Sequence, residues 1–249
     1  RSTVNPFTVQ EIAVALKGTN KPVLVKNPVN PDLALWIGAL ERLLGQDVKN
    51  LGVIHRGFSS YQKTKYRNLP NWQIALDFKH QYPNIPMFVD PSHICGRRDL
   101  LSDVTQEAFN VGYEGAMIES HCNPDAAWSD AAQQITPEVL AEMLGNLQIR
   151  NSDISGFDEE MGKHRALISD IDFQLIELLS NRMKISEKIG ALKKENNIAI
   201  FQPDRWKVIA EYASARAEES GMGKDFIEKV FKAIHEESIE VQNNIMIDK

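Results

Sequence analysis

Four short apolar runs recur along the first part of the chain, and each is followed by a segment with helical spacing. The runs are residues 22–26, 51–54, 87–89 and 115–118. Strands that alternate with helices at intervals of roughly 30 residues predict parallel βα units, because parallel neighbours need a crossover connection. A closed barrel of eight such units takes about 250 residues, so residues 1–148 predict about half of a (β/α)8 TIM barrel. We expect the other strands to precede Arg1.

Composition narrows the class of protein. No apolar run reaches the ~18 residues of a membrane span, and the first residues lack the hydrophobic region of a signal peptide, so we expect a cytoplasmic protein with no membrane partner. A net charge of -6 argues against nucleic acid as a partner. Only two cysteines, Cys95 and Cys122, predict free thiols in a reducing compartment. Local Arg and Lys residues leave anionic small molecules as the expected ligands.

Polar side chains stand where each predicted strand ends. They are Lys26, Arg56, His93 and Glu119, with Asp130 shortly after the last. Because the carboxyl ends of parallel strands meet at one edge, we expect these side chains to lie close together. An imidazole and two carboxylates, from His93, Glu119 and Asp130, suit a divalent cation such as Mn²⁺, Fe²⁺ or Zn²⁺. Lys26 and Arg56, with Arg1, would form a cationic cradle for phosphate and carboxylate oxygens.

Each of these residues also has a simpler interpretation when it is taken singly. Charged side chains are mostly exposed, so Lys26 or Glu119 alone would be read as a surface charge. His93 alone could be a histidine that is hydrogen-bonded to loop backbone. The metal prediction therefore rests on the recurrence of such residues at successive strand ends.

The pattern changes after a polar stretch, residues 149–160, which we interpret as a linker. From Ile168 to Leu192 apolar residues recur at alternate steps of three and four, typical of a long helix with a coiled-coil-like stripe. Arg182 occupies one position of that stripe, and since a buried charge is costly unless paired, it predicts a bound anion. An ion pair with a Glu on a neighbouring helix is the alternative. Lys193, about three turns on, projects from the same face.

Two further helices complete a predicted three-helix, all-α domain over residues 161–249. One opens at Pro203 with Arg205 in its first turn, and in the next Ser238 and Gln242 interrupt the apolar seam four residues apart. Polar interruptions of two seams should face one another, so we expect a polar pocket between the helices. The first helix has a stripe too extended for two shorter helices to cover, which predicts a homodimer or higher homo-oligomer.

Several motifs of the first part resemble a known enzyme family. They are RSTVNPF from Arg1, KPVLVKN ending at Asn27, HRG from His55, VDPSH ending at His93, and MIESH followed by Ser129-Asp130. Together they resemble the C-terminal half of 3-deoxy-D-arabino-heptulosonate 7-phosphate (DAHP) synthase. That family condenses phosphoenolpyruvate with erythrose 4-phosphate on a metal-dependent barrel.

The resemblance implies roles for six residues. His93, Glu119 and Asp130 would be the metal ligands, and Arg1, Lys26 and Arg56 would bind phosphoenolpyruvate. The cation would polarise the aldehyde of the sugar phosphate. A related octulosonate phosphate synthase reaction, with arabinose 5-phosphate as the acceptor, is the alternative.

This chain departs from the synthase pattern in two respects. The family's fourth metal ligand, a Cys on an early strand, and its Lys-Pro-Arg-Thr motif have no counterpart here, and both would precede Arg1. His55 also stands where many family members have Glu.

The second part resembles the all-helical chorismate mutase family over residues 161–246. The likeness rests on RALISDIDFQLIELLSNRMKISEKIGALKKEN and on EESIEVQ near the end. It implies that carboxylate and ether oxygens of the substrate meet Arg182, Lys193, Arg205, Ser238 and Gln242, and that Arg165 reaches across a domain-swapped dimer. The family often has Asp and Glu where Gln202 and Trp206 stand, to contact the substrate hydroxyl. Gln202 could still bind that hydroxyl, but an indole only donates.

The two resemblances together predict a bifunctional enzyme of aromatic biosynthesis. The helical domain would convert chorismate to prephenate without a cofactor, and the barrel would make DAHP in the complete protein. Chorismate or prephenate bound at the helical domain would lower synthase activity. The alternative is a helical domain that only senses prephenate and dimerises the protein.

Overall fold

The computed structural model describes residues 4–61, 64–150 and 157–247. The chain divides into two compact units, residues 1–153 and 154–249. Among the described residues no helix combines the length and apolar character that crossing a membrane requires. We call the two parts the sheet unit and the helical unit.

The sheet unit is built on four parallel strands in the order β1-β2-β3-β4. The strands are β1 (Val23–Lys26), β2 (Leu51–His55), β3 (Met87–Val89) and β4 (Gly115–Ala116). Their register pairs Val23 with Leu51, Val53 with Met87, and Phe88 with Gly115. The predicted parallel α/β sheet is confirmed. The last strand has two residues where four were predicted, although Met117 N still donates to Val89 O at 2.7 Å.

Helices connect these strands and supply the rest of the core. They are α1 (Pro6–Leu16), α2 (Leu33–Leu44), α3 (Trp72–Gln81), α4 (Pro91–Cys95), α5 (Leu101–Asn110) and α6 (Pro137–Asn146). Side-chain caps fix several helix starts: Asp32 accepts from Leu35 N, and Thr136 accepts from Val139 N. The core is centred on Trp36, Phe78 and Met87, all of which are fully buried. This packing holds the carboxyl ends of the strands at one edge.

Within residues 157–247 the helical unit has three helices, α7 (Asp158–Glu195), α8 (Pro203–Glu219) and α9 (Lys224–Ile247). The last helix packs against each of the other two. The first begins at Asp158, inside the stretch predicted as a linker, because three acids occupy its first turn, where the helix dipole favours negative charge. The predicted helical C-terminal part is confirmed. The domain bounds at 148 and 161 stay a prediction.

Candidate functional site

A polar cluster forms where the strands of the sheet unit end. Lys26 closes β1, and Asp90 follows β3 and caps α4, the short helix that carries His93. The histidine is therefore on a helix and not in a loop: Asp90 Oδ1 accepts from His93 N at 3.0 Å, and Pro91 occupies the first helical position. The cap and the proline together aim the imidazole at the strand ends.

The buried carboxylate of Asp90 contacts both Lys26 and His93 of this cluster. Its side chain is 1% exposed, accepts a 2.6 Å hydrogen bond from Lys26 Nζ and lies 2.9 Å from His93 Nδ1. Burial alone would raise the pKa of Asp90, but hydrogen bonds from His93 and Lys26 outweigh it and hold the pKa below its ordinary value. When the neutral imidazole donates from Nδ1 to this carboxylate, its Nε2 lone pair is available to a ligand.

Three side chains of types that can bind a metal converge near Asp90. One donor atom each from His93, Glu119 and Asp130 lies within 4.8 Å of the other two. Ligands of one cation, each about 2.1 Å from it, lie within about 4.2 Å of each other, so a small closure would let the three share a divalent ion. The donor set of one nitrogen and two carboxylates also fits the metals predicted. That these residues hold a metal stays a prediction.

Two residues that were not predicted hold the carboxylates of this cluster. Arg67 Nη1 donates to Asp130 Oδ1 and to Gln133 Oε1, each at 2.8 Å. Gln133 Nε2 in turn donates to Glu119 Oε2 at 2.9 Å. Arg67 therefore links Asp130 to Glu119 through Gln133. No spacing in the sequence points to either residue, since both come from outside the strand ends.

A pocket of about 480 Å³ opens beside the cluster. Its lining includes Lys26, Asn27, Arg56, Arg67, His93 and Asp130. The structure thus brings Lys26 and Arg56 together as the cationic cradle requires. Arg1, the third predicted member, lies outside the described residues.

His55 lies in the core and not in the pocket. Its Nε2 donates to Pro70 O at 2.7 Å, and its Nδ1 accepts from Tyr113 Oη at 2.9 Å. Complete burial lowers the pKa of His55 to about 4, and the carbonyl of Pro70 opposes that shift. The neutral ring is therefore a hydrogen-bonded core residue, packed edge-on against Trp72.

A second pocket, of about 340 Å³, lies within the helical unit. The predicted residues that line it are Arg182, Lys193, Gln202, Arg205, Ser238 and Gln242. Arg182 Nη1 donates a short hydrogen bond to Ser238 Oγ, and Lys193 Nζ donates to Ile200 O at 2.6 Å. No Asp or Glu lines this pocket in the part of the chain that the structure describes.

The cations of this second pocket are crowded together. Burial, and secondarily the charge of Arg205, lower the pKa of Arg182, and burial lowers the pKa of Lys193. The alternative of an Arg182–Glu ion pair is not what the structure shows: within residues 157–247 Arg182 has hydroxyl and carbonyl partners and no carboxylate. An excess of positive charge remains for a ligand.

One predicted residue of the helical unit lies away from this pocket, and one unpredicted residue lies in it. Arg165 is exposed on α7 and is absent from the pocket lining. Its contribution to a partner chain's pocket stays a prediction. His235, which was not predicted, lines the pocket and stacks on Trp206 with ring centroids 4.3 Å apart. Its position three residues before Ser238 on α9 was the available signal, because such residues share a helix face.

Comparison with known proteins divides the chain in the same way. The family model described as "DAHP synthetase I family" matches residues 7–154, and the one described as "Chorismate mutase type II" matches residues 164–243. The phospho-2-dehydro-3-deoxyheptonate aldolase of Thermotoga maritima is 28% identical over 129 residues, 52% of this chain. The T-protein of Haemophilus influenzae is 28% identical over 87 residues, 35% of this chain.

The chain spans only part of each relative, 38% of the Thermotoga aldolase and 23% of the T-protein. Among solved structures, a truncated form of 3-deoxy-D-arabino-heptulosonate 7-phosphate synthase from Thermotoga maritima matches with a TM-score of 0.52 and 24% identity. That match covers 65% of this chain and 57% of the other. At this identity the likeness is one of fold.

Proposed function

Since the chain belongs to the DAHP synthetase I family and carries a chorismate mutase type II domain, we propose that it is part of a bifunctional enzyme of aromatic biosynthesis. The helical unit would rearrange chorismate to prephenate. In the complete protein the barrel would condense phosphoenolpyruvate with erythrose 4-phosphate. Each proposal has its own support in the residues of one unit.

The charge balance of the helical pocket carries the mutase proposal. Arg182, Lys193 and Arg205 converge on one cavity that no acid lines among the described residues. Burial, and secondarily the charge of Arg205, lower the pKa of Arg182, and burial lowers the pKa of Lys193, so both charges are destabilised while no anion is bound. A dicarboxylate ligand removes this destabilisation, and chorismate is a dicarboxylate.

The rearrangement suits residues of this kind because it needs no nucleophile and no general base. Arg182 and Arg205 would hold the two carboxylates and so select the reactive conformer. Lys193 and Gln242 would face the ether oxygen that gains negative charge as its bond breaks. No cofactor is required for these steps. Lys193 is already held toward the cavity by its bond to Ile200 O.

The strand-end cluster supports the second activity. Lys26 and Arg56 line a pocket beside His93 and Asp130, so a phosphate and a carboxylate could bind next to the three metal ligands. His93, Glu119 and Asp130 would hold a divalent cation, which would supply Lewis-acid polarisation of an aldehyde. Asp90 keeps the imidazole oriented, and Arg67 keeps Asp130 in place until a ligand replaces that contact.

The exposed stripe of α7 supports a homodimer. Its apolar members are solvent-facing within the single chain, with Ile171, Leu175 and Leu178 each more than half exposed. Pairing this helix with its mate would cover the stripe. It would also give Arg165 a route to the pocket of the other chain.

Chorismate turnover tests the mutase proposal against a sensor. We expect the purified chain to consume chorismate and form prephenate. Titration calorimetry with prephenate on the same preparation gives the binding constant independently. Prephenate binding with no conversion of chorismate would make the helical unit a sensor and would overturn the mutase proposal.

Calorimetric titration with Mn²⁺ tests the metal proposal. We expect one ion per chain, with His93→Ala reducing the affinity at least about tenfold. His121→Ala is the matched control, since His121 is only partly buried, is not one of the three proposed ligands, and its Nδ1 contacts Asn123. Equal affinity in the two variants would contradict the site.

In the complete enzyme, a comparison of erythrose 4-phosphate with arabinose 5-phosphate as acceptors would distinguish DAHP synthesis from octulosonate phosphate synthesis. Chorismate or prephenate added to that assay would test the proposed feedback.

A further inference from the structure

The pocket of the helical unit contains a histidine whose ring nitrogen has no protein partner. His235 Nε2 is buried and makes no hydrogen bond to any residue that the structure describes. A polar atom left in this state is destabilising, because it has lost its hydrogen bonds to water and gained none from the protein. An unpaired buried atom of this kind is explained when a bound ligand supplies the missing hydrogen bond. The cavity lined by Arg182 and Ser238 is the space into which the ring faces.

Among the described residues the imidazole is held by ring packing, and no hydrogen bond to it is found. Its ring stacks on Trp206, with centroids 4.3 Å apart and planes 18° from parallel, and Phe201 lies 6.1 Å away. Stacking between two rings restricts rotation about the side-chain bonds. The nitrogen is therefore fixed in direction before a ligand arrives, which reduces the entropy lost on binding.

The surroundings keep this ring neutral. Burial first, and then the charges of Arg182 and Lys193, lower the pKa of His235, while Glu236 on the same helix opposes them. A neutral imidazole has one nitrogen that accepts a hydrogen bond. The neighbouring Arg182, Lys193, Arg205 and Trp206 can only donate. The ligand's carboxylates can accept hydrogen bonds from these cations. An accepting nitrogen suits a ligand hydroxyl, because a hydroxyl can donate to it.

We propose that His235 Nε2 accepts a hydrogen bond from the ring hydroxyl of the dicarboxylate bound in this pocket. The assignment rests on the proposed mutase function for the identity of the ligand. It makes His235 a ligand-binding residue that fixes which face of the ring is presented to Lys193. Gln242 Oε1 is a second buried atom of this pocket without a partner among residues 157–247. Gln242 Nε2 donates to Ser238 O at 3.1 Å, so the amide would present its nitrogen to a ligand only after a flip that breaks this bond.

Two substitutions separate the nitrogen from the ring that carries it. His235→Phe keeps the stack on Trp206 and removes the acceptor, whereas His235→Gln removes the stack and keeps an amide oxygen at a similar reach. We expect His235→Phe to lose roughly tenfold in kcat/KM for chorismate and in affinity for prephenate, about the strength of one neutral hydrogen bond. His235→Gln should stay within roughly threefold of the parent. His80→Phe, on an exposed position of α3, is the control and should match the parent.

A prephenate analogue that lacks the ring hydroxyl completes the test. The parent and His235→Phe should bind it equally, as calorimetry would measure. A tenfold loss that persists with this analogue would overturn the proposal, as would parent-like binding of prephenate by His235→Phe, or an equal loss in both His235 variants. If the parent binds prephenate but converts no chorismate, the proposed mutase function fails alone, and the binding measurements still decide the role of His235.

Discussion

The two candidate sites treat charge in opposite ways. At the strand ends of the sheet unit two acids have cationic partners, Asp90 with Lys26 and Asp130 with Arg67, and Glu119 accepts from the neutral amide of Gln133. In the helical pocket, within residues 157–247, Arg182 and Lys193 donate to neutral oxygens and to no carboxylate. The first site is balanced until ligands exchange with its partners, and the second keeps a positive potential that a dianion would neutralise.

The two units also differ in how much apolar surface each buries in its core. The sheet unit buries a large set of apolar side chains around Trp36, Phe78 and Met87. In the helical unit the buried apolar side chains are small or few, namely Ala213, Ala217 and Ile227. A three-helix unit that exposes its longest apolar stripe needs another surface to cover it. The sheet unit therefore has a large apolar core within the chain, and we expect the helical unit to gain much of its stability between chains.

The largest expected effect is on association. Leu178→Glu places a carboxylate in the middle of the α7 stripe, so the dimer dissociation constant should rise at least about a hundredfold. Leu144→Glu, at a similarly exposed leucine of α6, should leave association unchanged. Sedimentation velocity over a range of protein concentrations measures both. A parent chain that sediments as a monomer at micromolar concentration would remove the contrast between the two units.

A second substitution tests the balanced charge of the sheet unit. Asp90→Asn leaves Lys26 and His93 without their buried carboxylate and should lower the free energy of unfolding by about 3 kcal/mol, near the low end for a broken buried pair because Lys26 is partly exposed. Urea unfolding followed by tryptophan fluorescence reports mainly this unit, which holds three of the four tryptophans. Asp47→Asn breaks an exposed pair with Lys49 and is the control. Equal midpoints for the two variants would contradict the assignment.

The pH dependence of the sheet unit should show the buried histidine. The folded pKa of His55 is about 4, below the ordinary 6.5, so the unfolded chain takes up the proton first as pH falls. Stability is complete above about pH 6.5 and declines toward pH 4, with a loss of about 2 kcal/mol between pH 7 and 5. His55→Gln should flatten this slope, although it lowers stability overall, and His80→Gln should not. An unchanged slope in His55→Gln would refute the prediction.

The smallest expected effect concerns the neutral contacts of the helical pocket. Ser238 Oγ accepts from Arg182 and donates to Ile234 O at 2.7 Å. Ser238→Ala removes one hydrogen bond to a cation, so chorismate kcat/KM should fall roughly tenfold. Ser220→Ala, outside the pocket at the end of α8, is the control. A fall in melting temperature without a fall in kcat/KM would make Ser238 structural.

The sequence predicted elements that are long or strongly apolar. The runs at 51–54 and 87–89 became strands because a buried parallel strand must be apolar on both faces. The five-residue helix α4 was not predicted, since it is too short to show a helical period. The early start of α7 was also missed, because its first turn is acidic and carries no apolar stripe.

The site residues that could be predicted from the sequence are those at a strand end or in the apolar seam of a helix. Lys26 and Arg56 follow strands, and Arg182 interrupts a seam. Arg67 and Gln133 were not predicted, because their roles depend on contacts between segments far apart in the chain. His235 was not predicted, because its stacking partner is the ring of Trp206 on another helix. Local periodicity contains no information about such contacts.

The most direct test of the charge contrast is Arg182→Ala, assayed for chorismate turnover and for melting by circular dichroism on the same preparation. Arg216→Ala, which removes an exposed cation paired with Glu219 on α8, is the matched control. A contact to a cation in a desolvated pocket is worth several kcal/mol, so kcat/KM should fall at least about a hundredfold while the melting temperature holds or rises. Arg182→Ala protein that melts well below the parent and still turns over chorismate normally would contradict this account.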